Sequence, residues 1–292
     1  MMVFTLRGIS AVAGIAICLA IVLPSITHAA SVDESMTVSP ISRHYQLDAG
    51  HVANDELTVI NNGQVGYDVI VYARPYSVAS DSYEPNFVNT PRNADAYQWV
   101  QFTATKYHVD AGRTVHVPYT LSVPAMSAPG GHYGVIFVET QPSDSGSVVR
   151  RKRVGMLIYA TVKGQYITRG EAAGGAIPFW QFTSPLAATV STKNTGNADF
   201  DDTITYTVKN ILGKVIYRGS NAYTVLPGTT RKITLGWNDS PWFGLYAVEA
   251  RHSFLNQTPT ISGYVLMIPR WVYAVVVLVT IGAAVYAIRR RR

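Results

Sequence analysis

The sequence has a single cysteine, Cys18, and it lies inside an apolar run near the N-terminus. No cysteine follows it, so the rest of the chain has no disulfide, no thiolate metal site and no cysteine nucleophile. A lipidated cysteine wants a small residue before it, and Ile17 is not one, so lipidation is not expected. Catalytic signatures are missing as well. There is no G-x-S-x-G elbow, no H-E-x-x-H pair and no Gly-rich phosphate loop between a strand and a helix. Net charge on the body is also missing. Lys and Arg number 24 against 18 Asp and Glu, but Arg7, Arg270 and the last four arginines belong to the hydrophobic ends. The 18 basic residues left match the 18 acids, so the +6 formal charge gives no reason to expect nucleic acid.

What is present begins with two hydrophobic ends. Arg7, an apolar stretch from Ile9 to Leu23, Pro24 and the small residues of "THAAS" read as a secretory signal peptide over 1–30, cut after Ala29 or Ala30. At the other end "WVYAVVVLVTIGAAVYAI" (271–288) is uncharged and runs straight into Arg289, Arg290, Arg291 and Arg292. At ~1.5 Å per residue this run spans roughly 27 Å, close to the ~30 Å hydrocarbon core of a bilayer. A single transmembrane helix is therefore predicted over 269–288. The arginines (289–292) form its cytoplasmic tail, and Trp271 and Tyr273 suit the outer interface. The expected topology is single-pass in the plasma membrane, with the N-terminal body outside.

Between these ends nearly every segment has strand character. "YDVIVYA" (67–73), "TVHVPYTLSV" (114–123), "TITYTV" (203–208) and "KITLGW" (232–237) are short, rich in Val, Ile, Thr and Tyr, and separated by Gly, Pro, Asn and Asp. Many short strands without helical crossovers predict an all-β body of two tandem Ig-like β-sandwich domains. A weak internal repeat supports two units. Asn61-Asn62-Gly63, the turn Ala111-Gly112 and "GGHYGVIFVE" (130–139) are echoed by Asn194-Thr195-Gly196, Pro227-Gly228 and "FGLYAVEA" (243–250). Gly63 is expected to supply a positive φ, with Asn61 or Asn62 bonding the turn backbone. The first sandwich is assigned 31–168 and the second 179–268. "RGEAAGGAIPF" spans the boundary, with residues 169–178 as a Gly- and Ala-rich linker lacking strand alternation.

Three stretches are candidates for binding. The first unit has an excess segment, "SDSYEPNFVNTPRNADAYQWVQF" (80–102), where Tyr83, Phe87, Tyr97 and Trp99 stand among Asn, Asp and Pro. Aromatic faces stack on the C–H faces of sugars, so these four are candidate ligand contacts. The alternative is that Trp99 and Phe102 fill the core while the others close the loop. Arg150, Arg151, Lys152 and Arg153 are either an electrostatic patch for an anionic wall polymer or a charged edge that blocks sheet pairing. "NADFDD" (197–202) spaces Asn197, Asp199 and Asp201 like the start of a calcium loop. It lacks the turn glycine and the later glutamate, so a solvated acidic strand edge is favoured, and no metal or cofactor is expected. No histidine has a ligand spacing with a nearby acid; His108 and His116 are expected on strand surfaces. Trp237 and Trp242 are expected in the second core or near the membrane.

"VSPISRHYQLDAGHVANDELTVINNGQVGYDVIVYARPYSV" (38–78) and "YQWVQFTATKYHVDAGRTVHVPYTLSVPAMSAPGGHYGVIFVE" (97–139) resemble the opening domain of the WxL-interacting bacterial cell-surface proteins. The likeness covers about residues 36–165. It rests on the order of a Pro-started strand, a Leu-x-x-Gly turn, an Asn-Gly corner, Trp99-Val100, the Ala111-Gly112 turn, and Pro124 leading into Pro129-Gly130-Gly131. It implies a peptidoglycan-binding Ig-like domain, a second β-sandwich and one membrane helix. The second unit is shorter than the family's second domain, so a partner- or host-binding role is not carried over to it. The opening strands also look similar to periplasmic pilus chaperones, which are soluble; the C-terminal helix argues against that role. The expectation is a non-enzymatic, membrane-anchored surface protein that binds cell-wall glycan or another surface protein. The alternative is a structural spacer or assembly subunit without glycan affinity.

Overall fold

A computed structural model describes residues 35–79, 82–141 and 151–290. The expected signal peptide, Arg150, Arg291 and Arg292 lie outside the described residues. The chain is mostly β-sandwich followed by one apolar helix.

The first strands are β1 (Met36–Ser39), β2 (Ser42–Leu47), β3 (Val52–Asn61), β4 (Tyr67–Pro75), β5 (Ser77–Val78), β6 (Pro85–Asn86), β7 (Val100–Phe102), β8 (Lys106–Val109), β9 (Thr114–Ser122), β10 (Gly130–Thr140) and β11 (Arg153–Val162). A four-stranded sheet, β1-β3-β9-β7, packs on a five-stranded one, β2-β11-β10-β4-β8. Period-two alternation turns Leu57 and Val59 of β3 inward, and they share one core with Val117, Leu121, Ile136 and Ile158.

The strands that follow are β12 (Gly170–Ala176), β13 (Trp180–Gln181), β14 (Leu186–Asn194), β15 (Phe200–Asn210), β16 (Val215–Val225), β17 (Thr230–Trp237), β18 (Gly244–Ser253) and β19 (Thr260–Met267). They form the sheets β12-β14-β17 and β13-β19-β18-β15-β16 around Leu186, Val190, Ile204, Val208 and Val248. The plan repeats strand for strand. β3, β4, β8, β9, β10 and β11 have the neighbours that β14, β15, β16, β17, β18 and β19 have. In both sandwiches the opening segment splits between the two sheets, and β2 and β13 run parallel to β11 and β19. The first sandwich adds β5, β6, a 3-10 turn (Ala96–Trp99) and β7, nearly all within the 80–102 segment.

The Asn-x-Gly corners match bond for bond. Asn61 Nδ2 donates to Val65 O (2.8 Å) and Val109 O (3.0 Å), and its Oδ1 accepts from Gly63 N (2.9 Å). Asn194 Nδ2 donates to Ala198 O and Val225 O (both 2.8 Å), and its Oδ1 accepts from Gly196 N (2.9 Å). Each asparagine is fully buried. Each ties its corner to the residue three before a left-handed turn glycine, Gly112 (φ 66°) or Gly228 (φ 70°). The expectation that Gly63 itself has a positive φ is not met; the asparagine side chain makes the corner, and the left-handed backbone lies in the opposite turn.

Most of the stretch read as a linker, 169–178, is strand β12, paired with β14 through a bulge between Ala172 and Gly175. Its glycines permit close packing. A Cβ on Gly175 would sit 2.5 Å from Ile261 Cδ1 and 2.6 Å from Thr189 O, and one on Gly170 would collide with the Phe200 ring. Small residues there make room for neighbours, so the strand pairs without showing alternation.

Helix α1 (Arg270–Arg290) starts and ends close to the expected limits. Its 21 residues span about 31 Å. By length and composition it is the one candidate membrane span among the described residues.

Candidate ligand groove beside the aromatic insertion

The described part of the insertion, 82–102, crosses from one sheet of the first sandwich to the other. β5 and β6 form a small ribbon, where Asn86 Oδ1 accepts from Val88 N and Asn89 N (both 2.9 Å) and holds the turn after it. The 3-10 turn then passes over β10, where a Cβ on Gly134 would sit 2.7 Å from Tyr97 N. β7 completes the crossing by pairing with β9.

This path sorts the four aromatic candidates into three places. Trp99 is buried in the first core and packs on His132, with ring centroids 4.7 Å apart, so it is no surface ligand contact; the turn points it inward. Tyr83 leaves the insertion for the second sandwich. Its hydroxyl donates to Thr224 O (2.9 Å) and accepts from Leu226 N (2.8 Å), and Arg231 lies 4.3 Å over its ring. Burial pushes the Tyr83 hydroxyl up to about 12. Phe87 and Tyr97 are half-buried and share an open groove of about 670 Å³ with Arg74, Asn86, Val88 and Arg153.

The cations of this groove come from two strands. Arg153 at the start of β11 lies 4.5 Å over Phe137, and Arg74 at the end of β4 lies 5.5 Å from the Tyr72 ring. Neither forms an ion pair among the described residues. The nearby carboxylate, Glu139, is engaged by Tyr72 (2.5 Å) and by Arg151 (3.6 Å). The basic cluster is therefore divided: Arg151 neutralises Glu139, and Arg153 leaves its charge at the groove. Two guanidiniums that have no carboxylate partner among the described residues, Arg153 being bonded to the Tyr72 hydroxyl, lie between aromatic faces and an asparagine and make a place for an anionic, partly apolar ligand. Sequence reasoning missed Arg74, whose only signal was its place at the end of an alternating strand.

The other candidates have structural partners. Asp199 accepts from the Tyr133 hydroxyl (2.9 Å), and its own N–H donates to that oxygen (3.0 Å). Burial raises the Asp199 carboxyl above its usual range and pushes the Tyr133 hydroxyl up. Asp201 accepts from Thr224 Oγ1 (2.6 Å), and Asp202 is fully buried against His252 Nδ1 (2.7 Å) and Thr192 Oγ1 (2.5 Å). The solvated acidic edge expected over 197–202 is thus corrected at Asp199, which sits between the two sandwiches. Histidines do meet acids: His108 meets Asp68 across paired strands (2.6 Å) and Asp110 two residues on (3.4 Å), His116 meets Glu56 across paired strands (3.0 Å), and His132 meets Asp95 before the 3-10 turn (2.7 Å). Among the described residues no three His, Asp or Glu side chains converge as a metal set.

No family model matches the chain, and no curated protein does. Among solved structures it is similar to the class 5 fimbriae chaperone CfaA, at 13% identity and a TM-score of 0.41, covering 80% of this chain and 99% of that one. It is also similar to the E. coli chaperone DraB, at 12% and 0.39, covering 78% of this chain and 96% of that one. A third is the CsuC-CsuE chaperone-tip adhesion subunit complex of Acinetobacter baumannii, at 13% and 0.40, covering 78% and 97%.

Proposed function

We propose that the protein is a non-enzymatic, membrane-anchored bacterial cell-surface protein with two tandem Ig-like domains, whose first domain binds cell-wall glycan. One observation carries this reading: Phe87 and Tyr97 share a groove with Arg74 and Arg153. Peptidoglycan combines sugar faces, which stack on aromatic rings, with stem-peptide carboxylates, which pair with guanidinium. The resemblance of residues 36–165 to the WxL-interacting proteins supports the same ligand. For the anchor, the support is the length of α1, its uncharged middle, Trp271 and Tyr273 at its start and Arg289 and Arg290 at its end. A structural role for the His–acid pairs supports the non-enzymatic part: His252 and Asp202, 2.7 Å apart, are shut away from solvent.

The test is retention of the detergent-solubilised full chain on purified peptidoglycan, beside the variant R74E/R153E. Losing two charge-assisted contacts is expected to lower retention at least about tenfold. Equal retention of both proteins, or none of either, sinks the glycan reading.

The open edge of β16 favours a second reading, an assembly subunit or spacer. This eleven-residue strand ends its sheet with no strand on its outer side among the described residues, a place where an extended segment of another surface protein can pair. Stoichiometric co-purification of a partner from native membranes supports it, and an isolated monomer counts against it.

A further inference from the structure

One end of the second sandwich exposes a set of large aromatic side chains that neither core uses. Trp180 is 50% exposed and Trp242 61%, and Phe179, Phe182 and Phe243 stand beside them. Exposed aromatic rings gathered at one end of a sandwich mark a surface that something covers.

Chain geometry says what lies there. β19 ends at Met267 and α1 begins at Arg270, so only Ile268 and Pro269 separate the sheet from the helix, about 10 Å at full extension. Trp180 pairs with Leu266 and Gly244 with Met267, which holds β13 and the Trp242-Phe243 turn at that same end. The rings then reach the first turn of the helix. Trp180 and Phe182 lie 6.2 and 5.7 Å from the Tyr273 ring, Trp242 lies 6.2 Å from Trp271, and Arg270 sits 5.4 Å over Phe182. Wherever α1 enters a bilayer, these rings are within a ring's length of the entry point. Tyr and Trp favour the headgroup level, and Arg270 has no acidic residue in its helical turn to oppose anionic lipid. Asp239 is the one acid in the two loops, 179–185 and 238–243, that build the patch.

We propose that these aromatics form a collar that seats the second sandwich on the phospholipid headgroup layer, so that the ectodomain keeps one attitude to the membrane. The proposal rests on the reading of α1 as a membrane span, and the test separates the two. The full-length Trp271→Phe chain is placed in nanodiscs of phosphatidylcholine and phosphatidylglycerol whose acyl chains are brominated near the headgroup. Its remaining surface tryptophans, Trp180 and Trp242, are expected to be quenched by the bromines. In W180F/W242F/W271F the quenched fraction is expected to fall at least about twofold, because Trp99 and Trp237 pack against the sandwich cores. Equal quenching of the two variants in an integrated chain overturns the collar and leaves the span standing. Release of the chain from vesicles by an alkaline carbonate wash overturns the span and the collar with it. Tryptophans shielded from bromine in particles that hold paired chains assign the patch to a second copy and overturn the collar.

Discussion

β10 and β18 occupy the same place in their sheets, yet β10 is buried along nearly its whole length and β18 on alternate residues only. The outer face of β10 carries Tyr133, Val135 and Phe137, which form a second cluster with Tyr76, Tyr159, Phe87 and Leu226. The outer face of β18 carries Glu249 and Arg251, paired with each other (2.8 Å) and, through Glu249, with Lys209 (3.5 Å). One face is covered by the insertion and by the neighbouring sandwich, while the other meets solvent. A continuous apolar strand, "YGVIFVE", therefore marks where cover was added, and the groove sits at the rim of that cover.

The two corners sharpen the comparison and give the largest expected effect. Asn61→Ala and Asn194→Ala each strip three hydrogen bonds from buried groups. Each is expected to cost about 3 kcal/mol, read as a lowered thermal midpoint in detergent. The corners differ in use. Beside the second, Asn197 O accepts from Gly131 N (2.8 Å), and a Cβ on Gly196 would fall on the Ile167 carbonyl. Asn194→Ala alone is expected to speed hydrogen exchange at the Gly131 amide; equal protection in both variants breaks the distinction.

A smaller effect is expected at Tyr83, which has no counterpart in the second sandwich. Tyr83→Phe loses the bonds to Thr224 O and Leu226 N and is expected to cost about 1.5 kcal/mol. Faster exchange of the Leu226 amide with unchanged peptidoglycan retention assigns Tyr83 to the joint, whereas lost retention returns it to the groove.

The smallest effect depends on pH. His132 and Leu245 occupy matching places, each between a glycine and the tyrosine that packs back over it. Only the histidine titrates. Both of its ring nitrogens face acceptors, Asp95 Oδ1 at 2.7 Å and Ala128 O at 2.9 Å, so the protonated ring makes both bonds and the neutral ring only one. Burial opposes that charge, but the bonds to Asp95 and Ala128 outweigh it and raise the pKa. A raised folded pKa means the stabilisation is complete below about pH 6.5 and is lost as pH rises through the folded value. Thermal midpoints measured upward from pH 6.5 are expected to fall less steeply for His132→Gln than for the parent; identical slopes remove His132 from the account.

Much of this was legible in the sequence. Period-two runs gave the strands, the shared order of an Asn-x-Gly corner, a turn glycine and a later tyrosine gave the repeat, and the uncharged run before Arg289 gave the helix. Most of the histidine–acid pairs were hidden because the partners lie 37 to 60 residues apart and meet only once the chain has folded, whereas His108 also meets Asp110 two residues away. The 169–178 stretch was misleading for a related reason: glycine looks the same whether it loosens a linker or admits a neighbour, and the Phe200 ring beside Gly170 decides which.

By itself the sequence determined the alternation that gives each strand an inner face, the place of each Asn-x-Gly corner and the length of α1. The alternation and the helix are local properties set by backbone period and composition, and each corner asparagine adds local bonds to its own turn. Tertiary structure decided where Tyr83, Phe87, Tyr97 and Trp99 went: one to the joint, two to the groove and one to the core. An insertion has no period of its own, so each of its side chains takes the cover that distant strands happen to provide.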